Sequence, residues 1–141
     1  MLARIRGCKD LNYWERLKEL NMMSLQRRRE RCTLVHIFKI KAGIYPNTID
    51  LSFKISSRPT AVKAVLKPLP RVSGKLLTLY EESFTINAAK LWNILPPELS
   101  QIESLCLFKT RLDNFLKSVP DLPPIPGYPY SNNNSLTKQC F

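Results

Sequence analysis

The sequence has little of what phosphate-binding and metal-binding proteins usually carry. Its four glycines are scattered, so it contains no glycine-rich loop of the kind that cradles phosphates. It has a single histidine, His36, and its cysteines are widely spaced with no C-x-x-C pair: Cys8, Cys32, Cys106 and Cys140. This spacing argues against a zinc site.

The carboxylates do not form a catalytic pattern either. None of the four aspartates is adjacent to another, whereas the metal ions of phosphoryl transfer are held by convergent carboxylates. The one acidic pair, Glu81 and Glu82, would point in different directions on a helix or a strand. His36 has no evident acid to orient it as a base for a nucleophile. We therefore expect no catalysis and no cofactor in this segment itself.

Long apolar runs are also missing. No 18 consecutive residues are apolar, and the opening residues, MLARIRGCKDLNYW, have no apolar signal-peptide core. We therefore expect no membrane span and no secretory signal, and we expect the protein to be intracellular. In that setting, Cys32 and Cys106, which fall inside apolar helical patterns, are expected to be reduced core residues.

Positive charge, in contrast, is abundant and unevenly distributed. The net charge is +11, and residues 1–45 contribute +7, residues 46–80 contribute +5 and residues 81–141 contribute −1. Such clustering favours a polyanionic partner, either nucleic acid or an anionic surface. The alternative is a basic surface that serves only solubility.

Helical spacing and caps predict a helical hairpin in the first third of the chain. Asn12 with Glu15 forms a capping-box pattern before a helix over about 12–21. Ser24 is the candidate N-cap of a second helix over about 25–42, which should end at Gly43.

The basic stretch SLQRRRER lies at the start of that second helix. On a helical wheel, Arg27 and Arg31 extend the apolar stripe that contains Leu34 and Phe38, whereas Arg29 faces elsewhere. Solvated charges would lie opposite Phe38. We therefore interpret Arg27 and Arg31 as interface residues, directed toward phosphates or toward acidic side chains.

The middle of the chain changes periodicity. IDLSFKI alternates, and both AVKAVLK and KLLTLY contain residues that suit strands. Prolines and Gly74 separate these stretches. We expect short strands or extended segments that could be ordered only against a partner.

Two further helices are expected near the C-terminus, over about 84–95 and 105–117, with Trp92 in the core. Residues 119–141 are rich in proline and asparagine and should form a disordered tail. The predicted fold is a mainly α, small helical domain over residues 1–118, with short extended or strand segments in the middle.

Two strings, YWERLKELNMMSLQRRRERCTLVHIFKIKAG and SFTINAAKLWNILPPELSQIESLCLFKTRLDNFLK, resemble the region after the palm in reverse transcriptases of non-LTR retrotransposons, of the jockey-like and chicken-repeat-like groups. The matching positions are Tyr13, Glu15, Arg16, Leu17, Ser24, Leu25, Arg27, Arg28, Arg31, Lys39, Ile40, Gly43, Ser83, Phe84, Leu91, Trp92, Asn93, Leu95, Pro96, Phe108, Lys109, Leu112 and Asp113. The chain departs from the pattern at Asn87, where an arginine is common, and at Phe38, where a tyrosine is common.

The resemblance implies a thumb and connection segment of an RNA-directed DNA polymerase. The Mg²⁺-binding aspartates of that family lie in a palm that these 141 residues lack. It also implies contact with the backbone of RNA or DNA, with the upstream palm as a second partner and a possible nuclear location. The candidate phosphate-binding residues are Arg27, Arg28, Arg29, Arg31, Lys39, Lys41, Lys54 and Lys63. The alternative is a non-catalytic protein-interaction module or a decayed remnant. Oligomeric state is left open.

Overall fold

The protein is described here from a computed structural model, which defines residues 7, 9–57, 60–66, 73–121 and 135–139. The elements follow in the order α1 (Tyr13–Glu19), α2 (Leu25–Lys41), β1 (Ser52–Ser57), β2 (Thr60–Val65), α3 (Lys75–Glu81), α4 (Phe84–Ile94), α5 (Pro97–Ser100), α6 (Leu105–Ser118) and α7 (Leu136–Gln139). The predicted class, mainly helical with short strands in the middle, is confirmed.

Local signals set the ends of the first two helices. The Asn12 side chain accepts a hydrogen bond from the Glu15 amide, and the Glu15 carboxylate accepts one from the Asn12 amide. Ser24 Oγ accepts from the Arg27 amide at 3.2 Å. Gly43, just past the end of α2, has a φ of 70°, which glycine adopts without strain. The two predicted helices, both caps and the stop at Gly43 are confirmed.

The core lies where α2, α4 and α6 meet. The Phe38 and Phe108 rings stack with centroids 4.3 Å apart, and Trp92 lies 5.9 Å from Phe108. Leu34 and Leu112 complete a fully buried cluster. Burial of such large aromatic side chains contributes strongly to the stability of a small domain. The assignment of Trp92 to the core is confirmed.

The strands form an antiparallel hairpin in which Lys54 is opposite Lys63. Two side chains of α4 fix this hairpin to the helices. Trp92 Nε1 donates to the Val62 carbonyl at 2.9 Å, and the Asn93 amide group bonds both the N–H and the C=O of Ala64. Backbone N–H and C=O groups on the outer edge of β2 are thereby paired with side chains of α4 rather than with a third strand.

Two local predictions need correction. KLLTLY forms the helix α3, which starts after Gly74 and leaves its leucines exposed. Cys32 and Cys106 are both exposed, since each lies on the side of its helix away from the buried stripe.

The C-terminal segment also differs from an entirely disordered tail. The Asp121 carboxylate accepts a hydrogen bond from the Ser24 amide at 2.6 Å, and Leu136 of α7 is buried in the core. The Leu136 amide donates to Glu30 Oε1 at 3.0 Å. Residues 119–121 and 135–139 thus pack against α2 and α4, whereas residues 122–134 of the predicted tail lie outside the described residues.

Within the described ranges, no helix combines the length and the apolar character that crossing a membrane requires.

Candidate nucleic-acid interface

Arg27 lies inside the protein. Its side chain is 0% exposed, Nη2 donates to the Pro120 carbonyl at 2.9 Å, and Nε lies 3.8 Å from Glu30 Oε2. Burial raises the pKa of the Glu30 carboxyl, while the amide of Leu136 and the charge of Arg27 oppose that rise. Arg27 therefore joins α2 to the segment after α6 and is inaccessible to a phosphate.

Arg31 has an acidic partner on another helix. Its Nη2 donates to Asp113 Oδ2 at 2.9 Å and its Nε donates to Oδ1, which gives a two-point contact across 82 residues of sequence. The hydrogen bonds from Arg31 hold the pKa of Asp113 below its usual value. The interface predicted for Arg31 is thus, in this structure, the packing of α2 against α6.

Two of the candidate lysines bond backbone carbonyls. Lys41 Nζ donates to the carbonyls of Ser100 and Ile102, at 2.6 and 3.3 Å, next to the end of α5. Partial burial lowers the Lys41 pKa. Lys63 Nζ donates to the Asn93 carbonyl at 2.6 Å near the end of α4. Cations at helix C-termini complement the unsatisfied carbonyls there.

The remaining candidates are Arg28, Arg29, Lys39 and Lys54. Arg29 and Lys39 lie on the face of α2 directed away from the core, and Arg29 is exposed. Arg28 is half-buried, with its Nε enclosed, beside Leu116 and Asp121. None of these four cations forms an ion pair among the described residues. Lys54 is exposed on β1 of the hairpin. The arginine stretch therefore contains one buried residue, Arg27, one paired residue, Arg31, the half-buried Arg28 and the exposed Arg29.

Aromatic rings lie beside these cations. His36 is on the outer face of α2, with its ring centroid 5.5 Å from Tyr45 and 6.4 Å from Phe84. Tyr45 belongs to the loop after α2, and Phe84 is the first residue of α4. Their side chains are 40% and 51% exposed, respectively. We call Arg29, His36, Lys39, Tyr45 and Phe84 the outer strip.

Lys39 connects the charge of the outer strip to its rings. Its Nζ donates to the Tyr45 hydroxyl at 2.9 Å and lies 4.5 Å from the ring centroid. This hydrogen bond lowers the pKa of Tyr45, and the charge of Lys109 on α6 acts in the same direction. Lys109 therefore adds a further positive charge near the strip.

The nearby carboxylates are largely engaged. Asp113 is held by Arg31, and Glu30 accepts from the Leu136 amide. Glu81 and Glu82 are exposed just ahead of Phe84 and limit the positive field at that end. Across the residues with defined positions, no group of three His, Cys, Asp or Glu side chains is arranged to hold a metal. The arrangement can bind anions and flat aromatic groups.

Sequence reasoning did not identify the aromatic part of this surface. In the sequence, Tyr45 only follows the expected end of the second helix, Phe84 begins the helix predicted over about 84–95, and His36 was considered only for metal binding and as a base. The signal that could have found them is the position of His36, seven residues after Arg29 and three before Lys39, on one helix face.

No protein-family model, no curated protein and no solved structure matches the chain.

Proposed function

We propose that the chain is the post-palm segment of a non-LTR retrotransposon reverse transcriptase and that it binds the backbone of nucleic acid without sequence preference. The observation that supports the binding is the outward placement of Arg29 and Lys39 on one face of α2, with no ion pair among the described residues. Phosphate contacts position a protein on nucleic acid but carry no sequence information.

The family origin rests on the quoted motifs, and their contacts in space support it. Arg31 of the RRRER string bonds Asp113 of the FKTRLD string. Trp92 and Asn93 of the LWN string bond the hairpin that separates the two strings in sequence. Because these strings contact each other or the hairpin between them, we expect them to be retained together in a sequence. The same proposal assigns polymerase activity and Mg²⁺ binding to the upstream palm of the parent enzyme. It also implies that the enzyme has access to chromosomal nucleic acid in the nucleus.

The phosphate-binding set is narrower than the charge pattern alone indicated. Arg27 is inaccessible, Arg31 is held by Asp113, and Lys41 and Lys63 bond carbonyls. We retain Arg29, Lys39 and Lys54, together with the half-buried Arg28.

The test is a salt titration of the purified chain by fluorescence anisotropy, with duplexes of three unrelated sequences. About four phosphate contacts predict a log–log slope of about −3 to −4 on B-form DNA, equal for the three sequences. Undetectable binding at about 50 mM salt, or affinity that does not change with salt, would refute the proposal.

A second candidate is a protein-interaction module, and α3 favours it. Leu76, Leu77 and Leu79 of this helix are exposed, and none of its residues is buried. Exposed apolar groups in a cluster mark interaction surfaces or association. Size-exclusion chromatography separates the two functions. A monodisperse monomer that binds DNA supports the first, and concentration-dependent association that Leu76→Gln with Leu79→Gln abolishes supports the second.

A further inference from the structure

We infer that the outer strip binds single-stranded nucleic acid, with unpaired bases stacked on Tyr45 and Phe84 and phosphates held by Arg29 and Lys39. This inference rests on the proposed function and names the form of nucleic acid that this face accepts.

The first argument is the partial exposure of two aromatic side chains beside positive charge. Tyr45 and Phe84 leave about half of their surfaces in water although both touch His36, and Lys39 lies against Tyr45. Leaving large aromatic rings exposed costs the stability that their burial would provide. Proteins that bind single strands combine such rings with a basic track, because every base presents a flat face for stacking.

The second argument is the length of the outer strip along α2. Arg29 and Lys39 are ten residues apart on α2, and at 1.5 Å per residue they are separated by about 15 Å along the helix. At about 3.4 Å per stacked nucleotide, the strip spans about four nucleotides. This length is at the lower end of the range for single-strand-binding domains.

The third argument is a shallow pocket of about 210 Å³ beside Phe84. Gln26, Arg29 and Asn87 border it, together with Glu30, whose Oε1 accepts a hydrogen bond from the Leu136 amide. The Asn87 side chain is oriented by a hydrogen bond from its Nδ2 to the Glu82 carbonyl. A base stacked on Phe84 would place its polar edge near these amide and guanidinium groups. In a duplex, the base faces are already stacked on their neighbours and cannot reach Phe84.

The experiment compares a labelled oligothymidine with a hairpin duplex of the same number of phosphates, with the full chain and anisotropy as the readout. The variants are Tyr45→Leu and Phe84→Leu, which keep apolar bulk but remove the ring. Their matched controls are Tyr45→Phe and Phe84→Tyr, which keep it. Thermal melts followed by circular dichroism check that each variant is folded.

We expect each leucine variant to weaken oligothymidine binding about 5- to 150-fold, the range for the loss of one stacked base, while the ring-retaining controls bind nearly as the unmodified chain does. Duplex affinity should change little. Equal binding of duplex and single strand, unaffected by the leucine variants, would overturn this inference and leave the proposed function standing. Absence of salt-dependent binding to either probe would overturn both.

Discussion

Arg27 and Arg29 are two residues apart in the sequence, but replacing each with methionine should change different properties of the protein. Methionine keeps much of the aliphatic length of arginine and removes its charge. Arg27 is fully buried between the Pro120 carbonyl and Glu30, whereas Arg29 is exposed. Arg27→Met should therefore affect folding, and Arg29→Met should affect binding.

The size of the Arg27 effect follows from the groups it leaves behind. The lost hydrogen bond to Pro120 involves a charged donor and is worth about 1.5–3 kcal/mol. Glu30, whose side chain is 12% exposed, also loses its cation. Removal of one partner from a buried pair costs about 3–5 kcal/mol, which the apolar methionine partly offsets. We expect a loss of about 3 kcal/mol, or a melting temperature lower by about 10 °C for a chain of this size.

The assay is thermal unfolding followed by circular dichroism, together with anisotropy titrations at a temperature where both variants are folded. Arg29→Met should leave the free energy of unfolding within about 0.5 kcal/mol. It should reduce the magnitude of the salt slope on duplex DNA by about 0.9, whereas folded Arg27→Met should leave the slope unchanged. The reasoning is refuted if Arg27→Met is fully stable and reduces the slope.

Two further predictions concern the contacts between distant segments. In a double-mutant cycle with Arg31→Gln and Asp113→Asn, we expect a coupling free energy of about 1 kcal/mol. The contact is bidentate, but both side chains are about one-third exposed. Because the pKa of Asp113 is lowered in the folded state, its contribution is present above the ordinary carboxyl pKa and is lost as the pH falls through the folded-state value. Urea unfolding at several pH values should show a shallower acid decline for Asp113→Asn, and an identical decline would contradict the assignment. Leu136→Ala should cost about 2 kcal/mol or more in the same assay because Leu136 is buried in the core, and no change would mean that α7 does not pack there.

Features fixed by local chemistry were predictable from the sequence. The capping box at Asn12, the cap at Ser24 and the stop at Gly43 each depend on residues a few positions apart. The helical wheel also placed Arg27 and Arg31 correctly on the inward side of α2. It could not identify their partners, because Asp113 and Pro120 lie 82 and 93 residues away.

The errors arose where local propensity and tertiary packing disagree. The residues of KLLTLY suit either a strand or a helix, and the structure places them in a helix that has no buried residue. The apolar pattern around Cys32 and Cys106 was read without regard to which side of each helix they occupy. Leu136 gave no periodic signal, because α7 is a single turn and Leu136 is buried where α7 packs against α4.

The outer strip required three separate parts of the chain. His36 is on α2, Tyr45 is in the following loop and Phe84 begins α4, so no window of sequence contains all three rings. The charges at Arg29 and Lys39 were visible in the sequence, but the rings beside them became apparent only in the folded chain.

The most direct test of the account compares two doubly substituted chains that carry the same net charge. Arg29→Gln with Lys39→Gln removes two cations from the outer strip. Lys18→Gln with Arg111→Gln removes two exposed cations from α1 and from the α5–α6 side. We predict that the first pair reduces the magnitude of the salt slope on duplex DNA by about 1.8 and that the second leaves it nearly unchanged. Equal reductions by both pairs would show that binding follows net charge alone and would contradict a defined nucleic-acid interface on α2.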